Sequence, residues 1–208
     1  MDEKTCRTLN AINRRFYRNS ADAFSETRRD PWPGWERIPP LVSEHLASRD
    51  LRTLDVGCGN GRFGGFLAAA LPSRCAGLRY LGIDASEPLL GAVRARHLPF
   101  AEVATRCLDV VETPVTDLPR GPFSLIALMG VMHHVPGHRC RRALLRALAE
   151  QLEPGGLLAV AFWRFGEIER FRARRVSWSA YNETAEDPVD VERLEDGDQL
   201  LAWGAGRH

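Results

Sequence analysis

Lysine is almost missing from this chain: of 28 basic residues only Lys4 is a lysine, and the rest are arginines. The 27 acidic residues offset them to a formal charge of +1, which excludes a general polycation. Arginine bias has two readings, the base composition of the coding sequence or phosphate recognition by forked guanidinium groups. The second draws on the clusters Arg139/Arg141/Arg142/Arg146 and Arg170/Arg172/Arg174/Arg175. Long apolar runs are missing too. No stretch of about eighteen apolar residues occurs, and Met1-Asp2-Glu3-Lys4 is followed by polar residues, unlike a signal peptide. A cytoplasmic protein without a membrane partner is expected. Cysteine is scarce and scattered: Cys6, Cys58, Cys75, Cys107 and Cys140 are odd in number and never form C-x-x-C. Neither a disulfide framework nor a zinc site is indicated, and a reducing compartment fits.

What is there centres on Leu54-Asp55-Val56-Gly57-Cys58-Gly59-Asn60-Gly61-Arg62-Phe63. A short apolar run before the glycines reads as a buried parallel strand, the glycines as a turn that lets backbone approach a ligand, and Phe63 to Leu71 as a helix. A bare G-x-G-x-x-G would suggest a nucleotide pyrophosphate, but here the glycines are spaced Gly57-x-Gly59-x-Gly61 with Asp55 leading in. The chain is 208 residues long and 44% hydrophobic, enough for one core with appendages.

The alternation around this turn is regular. Residues 8 to 24 read as an amphipathic helix, and a Pro- and Trp-rich loop through Trp32 and Trp35 follows. That loop reads either as a cap packed on the core or as a lid or base-stacking surface. Helix is expected from Trp35 to Ser48, interrupted by Pro39-Pro40. Strands are expected at Leu51 to Val56, Arg79 to Ile83, Ala104 to Leu108, Phe123 to Met129 and Leu157 to Phe162. Helices Pro88 to His97 and Arg139 to Leu152 lie between, and Pro154-Gly155-Gly156 is read as the stop of the second. Such a rhythm gives right-handed crossovers, an open α/β parallel sheet, and a ligand at the strands' carboxyl ends. Asp84 ends the second strand about twenty positions past the glycine turn, where it can accept hydrogen bonds from ribose hydroxyls; a helix-capping aspartate fits the same letters.

The glycine pattern resembles motif I of class I S-adenosylmethionine-dependent methyltransferases. Leu54 to Phe162 follows that family in order: the glycine motif, Asp84, Asp109, the apolar fourth strand, then Leu152-Glu153-Pro154-Gly155-Gly156. The resemblance implies a Rossmann-like sheet of order 3-2-1-4-5 with helices on both faces, and S-adenosyl-L-methionine as cofactor. It implies a cofactor site of Asp55, Gly57, Cys58, Gly59, Asn60, Gly61, Asp84, Ala85, Asp109, Val110 and Met129, with Asp109 toward the adenine. A narrower resemblance rests on Phe24-x-x-Thr27-Arg28-x-x-Pro31-Trp32-Pro33, on His133-His134 after the fourth strand, and on Trp163 after the fifth. These residues look like the tRNA wobble-uridine carboxymethyl methyltransferases and their bacterial relatives. That family implies methyl transfer to a carboxylate in the tRNA anticodon loop, often with a small activator protein. It makes His133 and His134 the catalytic wall and Arg28, Trp32 and Trp163 substrate or lid residues.

A carboxylate acceptor is already nucleophilic at neutral pH, so the reaction needs alignment and exclusion of water rather than a general base. A small-molecule O-methyltransferase and a non-catalytic cofactor-binding or activator subunit are the alternatives. No metal is expected, because Pro136-Gly137 breaks the helix that would bring His134 and His138 to one face. The expected organisation is an N-terminal helical and aromatic cap (1–50), a cofactor-binding core (51–165), and an Arg-rich, then acidic C-terminal segment (166–208). Class I sheets continue with a sixth and seventh strand; here these are expected to be short or missing, leaving the fifth strand as an edge.

Overall fold

The computed structural model of the protein describes residues 1–27, 30–46 and 50–202, apart from the side chains of 22–24. Arg28 therefore lies outside the described residues. A long helix α1 (Glu3–Thr27) leads the chain, followed by a short 3-10 turn (Pro33–Arg37) and α2 (Ile38–His45). Then come β1 (Leu51–Val56), α3 (Arg62–Ala70), β2 (Leu78–Asp84), α4 (Glu87–Ala95), β3 (Glu102–Cys107), β4 (Phe123–Met129), α5 (His138–Ala149) and β5 (Leu152–Ala161). The five strands form one parallel sheet in the order β3-β2-β1-β4-β5, as expected.

Each face of the sheet carries its own core, because alternate strand side chains point to opposite sides. Leu51, Tyr80, Leu125 and Ala127 pack under Val42 of α2, Phe63 and Leu67 of α3, and Leu90 and Val93 of α4. Leu54, Val56, Ile126 and Leu128 pack under Leu144 and Leu148 of α5. β4 is almost wholly buried, which explains a sequence that is apolar apart from Ser124. The carboxyl ends of β1, β2 and β4 all open on one side, and α1 crosses there beside α4.

Several boundaries differ from the sequence expectation. The first helix runs from 3 to 27 rather than 8 to 24. Pro39-Pro40 do not interrupt a helix; they sit in the first turn of α2, where the missing N–H groups have no intrahelical partner to lose. Pro154-Gly155-Gly156 do not end a helix either. The helix stops at Ala149, and these residues lie within β5, whose pairing with β4 shifts register between Phe123 and Leu125.

The C-terminal segment holds a short helix α6 (Glu169–Arg172), β6 (Arg175–Val176), α7 (Trp178–Asn182) and β7 (Leu200–Leu201). β6 and β7 form a two-residue antiparallel pair of their own and do not extend the main sheet. Among the described residues β5 pairs only with β4 and is an edge of the main sheet. No described helix is long and apolar enough to cross a membrane.

Candidate active site

A cavity of about 330 Å³ opens where the carboxyl ends of β1, β2 and β4 meet α1. It is walled by Gly57 and Gly59 of the glycine turn, Asp84 and Ala85 after β2, Asp109 and Val110 after β3, and Met129, Gly130 and His134 after β4. Eight of the residues singled out in the sequence, distant along the chain, thus line one space of ligand size.

The turn itself is tightly made. Cys58 N–H donates to the carbonyl of Ile83 at 3.0 Å, tying the turn to β2. Gly57 has φ +64, and a Cβ there would stand 2.3 Å from Val131 Cγ2, so no larger residue fits. Behind the turn lies a buried polar pair. Asp55 is 1% exposed, and its Oδ2 accepts a 2.6 Å hydrogen bond from the Tyr80 hydroxyl. Burial raises the Asp55 carboxyl to about 7, partly opposed by the Tyr80 bond. Asp55, Cys58, Asn60 and Gly61 are not among the residues lining the cavity; they build the turn from behind.

Asp84 is held by two backbone donors. Gly59 N–H reaches its Oδ2 at 2.9 Å and Ser86 N–H its Oδ1 at 2.8 Å. Burial raises its pKa, and these two bonds act against the rise. Each oxygen keeps lone-pair capacity for a further donor, which is the chemistry a ribose diol requires. Asp109 is held similarly: Val111 N–H donates to Oδ1 at 2.8 Å, and Asn10 Nδ2 donates to Oδ2 at 2.9 Å.

Asn10 belongs to α1, and this wall was not singled out in the sequence. Asn10, Asn13, Arg14, Tyr17 and Arg18 all line the cavity. Asn10 is 4% exposed and also donates to Glu112 at 3.2 Å; Arg14 pairs with Glu112 at 2.8 Å. The polar residues at 10, 13, 14 and 17 lie at helical spacing and form one stripe of α1, beside the expected apolar face.

The two histidines line different, overlapping spaces. His134 lines the cavity, its Nε2 lies 2.8 Å from the Tyr17 hydroxyl, and its carbonyl accepts from Asn13 Nδ2 at 3.1 Å. Burial lowers its pKa to about 4, so the ring is neutral at pH 7. His133 lines only a second cavity of about 380 Å³, which His134 also borders, together with Trp163 and Phe165. Trp32 packs edge-on against Trp163 and beside Trp35, and it does not line either cavity. It touches the site through Gly130, where an added Cβ would stand 2.7 Å from the Trp32 ring. Trp32 is thus packed against Trp35, Trp163 and Gly130. Among the described residues no group of three or more His, Cys, Asp or Glu side chains could hold a metal ion.

Residues 54–158 match the methyltransferase-domain family, half of the chain. The chain belongs to that family, and its core is an S-adenosylmethionine-dependent methyltransferase domain. It is 28% identical over 163 residues, 78% of its length, to a tRNA (carboxymethyluridine(34)-5-O)-methyltransferase of Macaca fascicularis, of which it covers 21%. It is 32% identical over 58% of its length to a ubiquinone biosynthesis O-methyltransferase of Xylella fastidiosa, of which it covers 45%. The chain thus spans less than half of either relative. Its fold resembles that of the N-methyltransferase NodS of Bradyrhizobium japonicum, solved with S-adenosyl-L-homocysteine. There the TM-score is 0.51 at 20% identity, over 76% of this chain and 72% of that one.

Proposed function

We propose that the chain binds S-adenosylmethionine in the cavity under α1 and transfers its methyl group to an oxygen, with the carboxylate of a modified tRNA wobble uridine as the leading acceptor. The observation that carries this reading is the placement of Gly57, Gly59, Asp84 and Asp109 around one space of about 330 Å³. Asp84 would receive the ribose hydroxyls, and Asp109, steadied by Asn10, would face the adenine side. Gly57 and Gly59 line the side where the amino-acid end would lie. When bound, the cofactor supplies an electrophilic methyl on a sulfonium.

The protein's own work is alignment and exclusion of water. A carboxylate acceptor forms the new O–C bond as the S–C bond breaks and needs no proton removed. Neutral His134 fits that chemistry as a hydrogen-bonding wall rather than a cation. The tRNA relative supports the acceptor, and the ubiquinone relative supports a small-molecule oxygen acceptor as the second reading. Mass spectrometry of tRNA nucleosides from a strain lacking the gene decides between them. Loss of a uridine methyl ester is expected; an unchanged nucleoside profile removes the tRNA reading.

A further inference from the structure

We propose that the second cavity is the acceptor chamber and takes a flat ring bearing a hydroxyl or a single carboxylate, with the C-terminal strand pair serving as its outer wall. This rests on the cofactor reading of the first cavity. The two spaces share Asn13, His134 and Val135 as lining. Gly130 forms another thin partition: it lines the first cavity, and a Cβ on it would stand 3.3 Å from Nε1 of Trp163, which lines the second. His134, Asn13 and Val135 thus form the wall that the second cavity shares with the cofactor space, with Gly130 packed against Trp163 beside them.

The lining selects a ring. Trp163 and Phe165 lie nearly parallel, 11° apart with centroids at 5.8 Å, and His133 meets Phe165 edge-on at 4.9 Å. Trp178 enters from the far side with its indole N–H donating to the Asp198 carbonyl at 3.3 Å, so its ring is turned into a fixed wall. Trp163 and Phe165 stack on each other, so a planar ligand would meet their outer faces and edges together with Trp178. Gln199, beside Asp198, adds an amide that both donates and accepts.

Both lining arginines already have acid partners. Arg141 is bonded to Glu195 at 2.9 Å and to the Val135 carbonyl at 3.0 Å, and Arg164 is paired with Glu167. The exposed Arg164–Glu167 pair is weak, while Arg141 is held by an acid of this chain, and a doubly charged anion would compete with Glu195 for it. A flat ring with one hydroxyl or carboxylate would not. This also gives β6 and β7 a role. They do not widen the sheet; Trp178 follows β6, Gln199 precedes β7 and Leu200 begins it, so the pair brings these lining residues together.

The same ring chemistry has two sources, a free aromatic acid or a base flipped from RNA, and two probes separate them. Ligand-observed NMR titrations of the full chain, with and without S-adenosylhomocysteine, use 3,4-dihydroxybenzoate, 5-carboxymethyluridine and, as a non-planar control, cyclohexanecarboxylate. At least one planar probe is expected to bind and the control not to. Trp178→Leu and Phe165→Leu should each weaken the planar probe about tenfold, while affinity for S-adenosylhomocysteine stays within about twofold and reports an intact fold. Equal binding of the control, or planar binding unchanged in both variants, overturns the proposal. So does the failure of both planar probes on a chain that binds S-adenosylhomocysteine. If the chain fails to bind S-adenosylhomocysteine but still shows Trp178-dependent planar binding, the cofactor reading falls while the ring-binding chamber stands.

Discussion

The hydroxyl of Tyr17 lies 2.8 Å from Nε2 of His134, joining the N-terminal helix to the loop after β4 across more than a hundred residues of chain. The rings also meet edge-on, with centroids 5.3 Å apart. α1 is thus a wall of the candidate site and not an appendage to it. Because burial holds His134 down to about 4, the shared proton sits between two neutral groups at physiological pH. A rate profile of methyl transfer should therefore show no inflection near pH 6.5 from this histidine. An inflection there that disappears in His134→Gln would contradict this.

Asn10 steadies Asp109 from the same helix. Asn10→Ala removes one hydrogen bond to that carboxylate and should weaken S-adenosylhomocysteine binding by about three- to tenfold, as expected for a single side-chain bond. Arg14→Ala, which breaks a half-exposed pair with Glu112, should change folding stability by less than about 1 kcal/mol. Calorimetry and urea denaturation measure the two effects separately.

Asp55 and His134 pull stability in opposite directions with pH. With Asp55 raised to about 7, the folded state keeps a proton between about pH 4 and 7 that the unfolded chain has released, so stability falls as pH rises through that window. With His134 lowered to about 4, the unfolded chain holds a proton between about pH 4 and 6.5 that the folded state has shed, so stability rises with pH. The two slopes oppose each other below 6.5. Asp55→Asn removes the first and should add a rise on the order of 3 kcal/mol, relative to the parent, between pH 4 and 7. Urea midpoints at successive pH values test this; parallel curves for the two proteins would refute it.

Gly130 has φ +86 and faces the Trp32 ring, where an added Cβ would stand at 2.7 Å. Gly130→Ala should cost about 1–3 kcal/mol from backbone conformation alone, with the displaced Trp32 adding to it. A change below about 0.5 kcal/mol in urea denaturation would show that the cap yields freely.

The sheet was legible because its strands carry strong local signals. Phe123 to Met129 is apolar apart from Ser124, and the glycine turn and Asp84 fall at fixed offsets from strand ends. Glu153-Pro154-Gly155-Gly156 misled because proline and glycine punctuate helices and bulged strands alike, and only pairing with β4 decides which. Asn10, Arg14 and Tyr17 escaped because their partners, Asp109, Glu112 and His134, lie about a hundred or more residues away. Nothing local in a polar helix face says what it covers. Trp32 was legible as an aromatic of consequence, yet its choice between packing and stacking rests on Trp35, Trp163 and Gly130, which only the fold brings together.

The most direct test is calorimetry of the full chain with S-adenosylhomocysteine, parent against Asp84→Ala. The Asp84 carboxylate is fixed by Gly59 and Ser86 at the centre of the proposed cofactor site. One-site binding is expected, weakened at least about tenfold in the variant, which corresponds to about 1.4 kcal/mol. No binding by the parent, or equal binding by both proteins, would contradict the assignment of this cavity to S-adenosylmethionine.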